Sequence, residues 1–129
     1  MIAVDTSVWV AALRRSGREA AHLSLLFDRD DVLLPAPVRV EILSGASRMD
    51  RPRLRRLLSA LPVAYPSADT WQRIDQWVEQ AGEAGEHFGF ADLMIGVLAV
   101  ESGSSVWSMD SDFERLSRIG LVELYLPTA

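Results

Sequence analysis

The chain contains no cysteine and no lysine. Without cysteine there is no disulfide framework, no zinc–thiolate site and no thiol nucleophile. Without lysine there is no P-loop ammonium, no Schiff base and no lysine general base. All 13 basic residues are therefore arginine, against 18 acidic ones, which leaves a net charge of −5. A field of that sign repels nucleic acid at long range. No apolar run approaches the ~20 residues of a membrane span. The N-terminus has no basic stretch, and Asp5 interrupts the first apolar run. The expectation is a cytoplasmic protein without a membrane segment. What is present is an ordinary globular balance of 129 residues, 49% hydrophobic and 24% charged. That is the size of one domain, residues 1–129, which folds without covalent or metal staples.

Apolar runs and helix signals alternate along the chain. Ile2-Ala3-Val4 reads as a buried strand that runs into the cap-type residues Asp5-Thr6-Ser7. A helix is expected over much of Arg18 to Phe27, then a strand at Val32-Leu33-Leu34. Pro37 and Pro52 suit the first turns of two further helices. Val63-Ala64-Tyr65 reads as a short third strand, and Ser67 as the cap of a long amphipathic helix. Trp71 and Trp77 are spaced to share one face of it and to pack in the core or a dimer. Ala91 to Val100 is apolar on all sides and reads as a buried helix. A strand around Val106-Trp107, a short helix after Asp110 and a last strand over Val122 to Leu126 complete the pattern. This alternation argues for an α/β fold with a mostly parallel sheet of about five strands. In such sheets ligands bind outside the carboxyl ends of the strands.

Acids sit where that crevice is expected. Asp5 follows the first strand and Asp110 the fourth; each also suits a helix cap. Asp92 opens the apolar helix, with Gly96 and Ala99 beneath it on one face, an arrangement that reads as an open lane. Glu41 lies in the mostly apolar Val38-Arg39-Val40-Glu41-Ile42-Leu43, above Gly45, with Arg39 as a candidate ion-pair partner. Carboxylates that converge cannot all ionise without a cation, and the simplest one is a hard divalent ion, Mg²⁺ or Mn²⁺. Such a site activates water and stabilises a phosphoryl transition state. Asp112 is a candidate outer ligand. His22 and His87 lack ligand spacing and read as structural.

Taken in order, these motifs resemble the PIN domain, and most nearly the VapC-type toxins of bacterial toxin–antitoxin pairs. They are Asp5-Thr6-Ser7, Glu41 in Val38 to Ala46, Ala91-Asp92-Leu93-Met94-Ile95 and Ser108-Met109-Asp110-Ser111-Asp112-Phe113. The resemblance spans essentially the whole chain. It implies a three-layer α/β/α sandwich and a Mg²⁺- or Mn²⁺-dependent endoribonuclease acting on tRNA or ribosomal RNA. It also implies a homodimer and a VapB-type antitoxin that blocks the site. Asp5, Glu41, Asp92 and Asp110 take the positions of the metal-binding catalytic acids, with Thr6, Ser7 and Ser108 as supporting hydroxyls. Asp112 falls at a position that varies in the family. The densest basic segment holds Arg53, Arg55 and Arg56, candidates for RNA or antitoxin contact; Arg14, Arg15 and Arg18 form a second cluster. A non-catalytic RNA- or protein-binding module of the same fold is the alternative. Receiver domains and haloacid-dehalogenase phosphatases need a lysine that this chain lacks.

Overall fold

The computed structural model describes residues 1–14 and 17–127; Arg15 lies outside them. Its elements follow the order β1 (Ile2–Val4), α1 (Thr6–Arg14), α2 (Arg18–Asp28), β2 (Val32–Pro35), α3 (Ala36–Gly45), α4 (Arg51–Leu58), β3 (Val63–Ala64), α5 (Ala68–Glu83), α6 (Phe90–Glu101), β4 (Ser105–Trp107) and α7 (Ser111–Arg118). The four strands pair in parallel in the order β3-β2-β1-β4. The segment expected as a final strand over 122–126 contributes one parallel bridge, Val106 to Leu124, at the open edge of β4. Its neighbours Glu123 and Tyr125 exchange backbone hydrogen bonds with Val106 at 2.8 and 2.7 Å.

The strands are short apolar runs because helices cover the sheet, as parallel sheets require. Ala3, Val4, Leu34 and Val106 are fully buried. Helix α6 lies against β1, β2 and β4, and α5 packs outside it; α1, α2 and α3 pack together. The all-round apolarity of α6 follows, since Leu93 to Ala99 are all buried. Helix α6 ends with Gly103 at φ +67°, a conformation that suits glycine. The Ser104 N–H bonds the Ala99 carbonyl at 2.8 Å and the Gly103 N–H that of Val100 at 3.0 Å. This closure turns the chain directly into β4.

Two local expectations are corrected. Gly96 is not part of an open lane: a Cβ there would stand 2.9 Å from Cζ3 of Trp77 and 3.2 Å from Val122. The glycine lets α5 and the C-terminal segment approach α6. Trp71 and Trp77 do not share a face either, because six residues rotate a helix by about 240°. Trp77 is buried, whereas Trp71 is 52% exposed and stacks on Phe90 with ring centroids 5.7 Å apart.

Candidate active site

The central strand β1 leads through α1 and α2 to β2 on one side, while β4 flanks it on the other. The connections therefore diverge at the carboxyl ends of β1 and β4, which opens a crevice between them. Asp5 leaves β1 there, and Ser108, Met109 and Asp110 leave β4. The Asp5 N–H bonds the Trp107 carbonyl at 2.9 Å, so the two strand ends are locked in register.

Asp5 is 6% exposed, and its donors all converge on one oxygen. Oδ2 accepts from the Ser7 hydroxyl at 2.7 Å, the Ser108 hydroxyl at 2.8 Å and the Ser7 N–H at 3.4 Å. Among the described residues nothing donates to Oδ1, which is left for another positive partner. The same hydroxyls brace the second loop. Ser7 Oγ accepts the Met109 N–H and Ser108 Oγ the Asp110 N–H, both at 2.9 Å. Asp110 caps α7 by accepting the Asp112 N–H at 2.9 Å. The cap reading of Asp110 therefore holds, and its carboxylate also lies with those of Asp92 and Asp112. Glu41 is exposed rather than buried. It accepts the Thr6 hydroxyl at 2.8 Å instead of pairing with Arg39, because residues two apart on a helix point to different sides. Gly45 beneath it faces open space.

Asp92 lies in the first turn of α6, whose cap position belongs to Gly89. Carboxylate oxygens of Asp92, Asp110 and Asp112 lie within 4.8 Å of one another. Asp5 and Glu41 are outside this trio. Asp5 is near enough to act on it through its charge, and Glu41 is tied to the site through Thr6. Burial pushes the Asp92 carboxyl up to about 7, helped by its hydrogen bond to Asp112 and by the charges of Asp110, Asp112 and Asp5. Asp112 moves the other way. The guanidinium of Arg115, donating at 2.6 Å, and the bond to Asp92 hold its carboxyl below the usual range. Arg115 also pairs with Glu86 and lies over the Phe88 ring. Arg115 and Glu86 escaped sequence reading; the spacing Asp112-x-x-Arg115 on a short helix was their only signal.

The donors are all carboxylate oxygens, with no imidazole or thiolate among them. Such a set suits a hard divalent cation, and the raised Asp92 carboxyl reflects its burial first and the neighbouring acids second. The basic candidates separate. Arg53 faces Asp50 at 3.9 Å, Arg56 is exposed on α4, and Arg55 shares a surface hollow with Arg39 and Arg51. His22 is structural: its Nε2 is 2.6 Å from the Tyr125 hydroxyl.

Residues 2–119 match the family model of the PIN domain. The chain is 31% identical over 125 residues to Ribonuclease VapC11 of Mycobacterium tuberculosis, covering 92% of this chain and 93% of the relative. It is 36% identical over 123 residues to Ribonuclease VapC18 of the same organism, covering 90% and 87%. In structure it resembles VapBC2 from Rickettsia felis, solved bound to a DNA fragment from its promoter. The TM-score is 0.78 at 20% identity, over 97% of this chain and 98% of the other. With a PIN model matched over nearly its full length and two relatives above 30% identity, this chain belongs to the PIN domain family.

Proposed function

We propose that the chain is a Mg²⁺- or Mn²⁺-dependent endoribonuclease, the toxin of a toxin–antitoxin pair held in check by a VapB-type antitoxin. The observation that carries the reading is the gathering of Asp92, Asp110 and Asp112 within 4.8 Å, beside the buried Asp5. The relatives named VapC ribonucleases support the activity, and the VapBC structures support the antitoxin. In this reading the protein works in the cytoplasm as a homodimer, on tRNA or ribosomal RNA.

Asp5, Glu41, Asp92 and Asp110 would hold the cation, with Asp112 as an outer ligand. The bound ion supplies activation of a water and neutralises charge developing on the phosphoryl oxygens during phosphodiester hydrolysis. Ser7 and Ser108 keep Asp5 aimed. Thr6 orients Glu41, and Arg115 orients Asp112. Near neutral pH the metal-free protein holds Asp92 only partly ionised, and a cation held beside it would favour the ionised form.

The test is cleavage of purified tRNA and ribosomal RNA with Mg²⁺ or Mn²⁺ and with EDTA. Cleavage is expected only with metal. Asp5→Asn and Asp92→Asn are each expected to lower it by more than about a hundredfold, since even outer-sphere partners cost 10–100-fold. Cleavage that survives chelation overturns the metal mechanism. RNA bound but left intact in every metal supports the non-catalytic module instead.

A further inference from the structure

A second cavity opens beside the acids, of about 220 Å³, lined by Arg18, Glu19, His22, Trp107, Met109 and Pro127. It shares a wall with the site, because Met109 stands between Ser108 and Asp110 on the loop that Ser7 anchors. An occupant of this cavity is therefore one residue away from the Asp110 carboxylate.

Its construction differs from that of a packing defect. The inner wall is rigid and aromatic. His22 meets Trp107 edge-on, with ring centroids 5.2 Å apart, and is fixed by its bond to Tyr125. The mouth is polar. Arg18 and Glu19, on the first turn of α2, make no ion pair among the described residues. A cavity with an aromatic inner wall and one carboxylate and one guanidinium at its rim suits a nucleobase, which offers apolar ring surface and an edge for hydrogen bonds.

We propose that this cavity receives one unpaired base of the RNA next to the cut, and that Glu19 and Arg18 read its edge. The proposal rests on the ribonuclease reading above. Guanine is the base that satisfies both groups. Its N–H groups donate to the carboxylate, and its O6 and N7 accept from the guanidinium. Uracil offers a carboxylate one donor and has no N7. Apolar contact with the wall of Trp107, His22 and Met109 tolerates any base, so the discrimination resides in Glu19 and Arg18.

The experiment uses single-stranded oligoribonucleotides that are all uridine, or that carry one guanine at successive positions. Cleavage is followed with Mg²⁺ in the full chain. Binding is followed by anisotropy in an Asp92→Asn background. A guanine adjacent to the cut is expected to raise kcat/KM and affinity about tenfold, the size of one good bidentate contact. Glu19→Gln keeps the shape of the side chain, and Arg18→Gln removes the charge; each is expected to erase most of that preference, with melting curves confirming that both fold. Metal-dependent cleavage whose base preference is absent, or persists in both variants, overturns the cavity assignment and leaves the nuclease reading intact. Guanine-dependent binding that Glu19→Gln abolishes, without cleavage in any metal, does the reverse.

Discussion

In Asp92, burial and three neighbouring carboxylates act in the same direction. The carboxyl is held near 7 in the folded protein against 3.8 for a free one. Between about pH 4 and 7 the unfolded chain loses that proton while the folded chain keeps it. The folded state then binds more protons, so stability falls as pH rises through this window and levels off above it. Asp112 contributes oppositely, and only in more acid solution, because its carboxyl is lowered. Asp92→Asn removes the first slope. Without metal the variant is expected to melt progressively higher than wild type from pH 4 to 7, with the gap constant beyond. Thermal melting in EDTA across that range checks it; a gap that does not change with pH refutes it. Saturating Mg²⁺ is expected to reverse the order. Wild type gains about 2.7 kcal/mol at a hundredfold excess over Kd, and the variant, lacking one ligand charge, gains less.

Helix α6 places Asp92, and its position depends on Gly96 admitting the Trp77 ring. Gly96→Ala gains helix propensity of about 1 kcal/mol but forces apart a buried ring and Val122, an overpacking that costs about 1–3 kcal/mol. The expected balance is destabilisation by about 1 kcal/mol in urea melts. Gly45→Ala, at the end of α3 with nothing within 4 Å, is expected to be neutral or stabilising. Helix α3, which carries Glu41, is closed by Arg51, whose guanidinium donates to the carbonyls of Leu43 at 3.1 Å and Ala46 at 3.2 Å. Arg51→Ala leaves those acceptors to water and is expected to cost about 1 kcal/mol of stability. Arg55→Ala, on the same hollow without that duty, is expected to leave the melting temperature within about 1–2 °C.

Across the whole molecule a net charge of −5 must coexist with the polyanion of the proposed reaction. The hollow between α3 and α4 gathers Arg39, Arg51 and Arg55 around Val40, Leu43 and Ser44, and it supplies local positive charge on the helix that holds Glu41. Each phosphate neutralised contributes about −0.7 to the slope of log K against log salt for a single strand. Replacing Arg39 and Arg55 by Gln is therefore expected to flatten that slope by about 1.4 and to weaken binding without changing Mg²⁺ affinity. A salt titration of RNA binding decides it, and an unchanged slope assigns the hollow to solvent. The described residues contain no helix long and apolar enough to cross a membrane.

The parallel α/β layering, the strand and helix-start signals and the acids Asp5 and Asp110 were legible in the sequence because each rests on local rules, whereas Glu41 and Asp92, on helices α3 and α6, stood out through the ordered motifs of the resemblance. Buried strands are short apolar runs, caps are short polar residues, and an acid after a strand in such a sheet faces the crevice. Val63-Ala64 was found as a strand for the same reason. The tertiary structure decided what depends on residues distant in sequence. It reduced the last strand to a bridge, since only Leu124 meets β4 in register. It brought Asp112 into the trio and left Glu41 linked through Thr6, because a side chain's reach is set by how helices are placed on the sheet. It gave Gly96 a partner in Trp77, nineteen positions earlier in the chain. It also sorted equivalent arginines into a helix closer, an ion pair and open charges, according to which carbonyls and carboxylates the fold carried within reach.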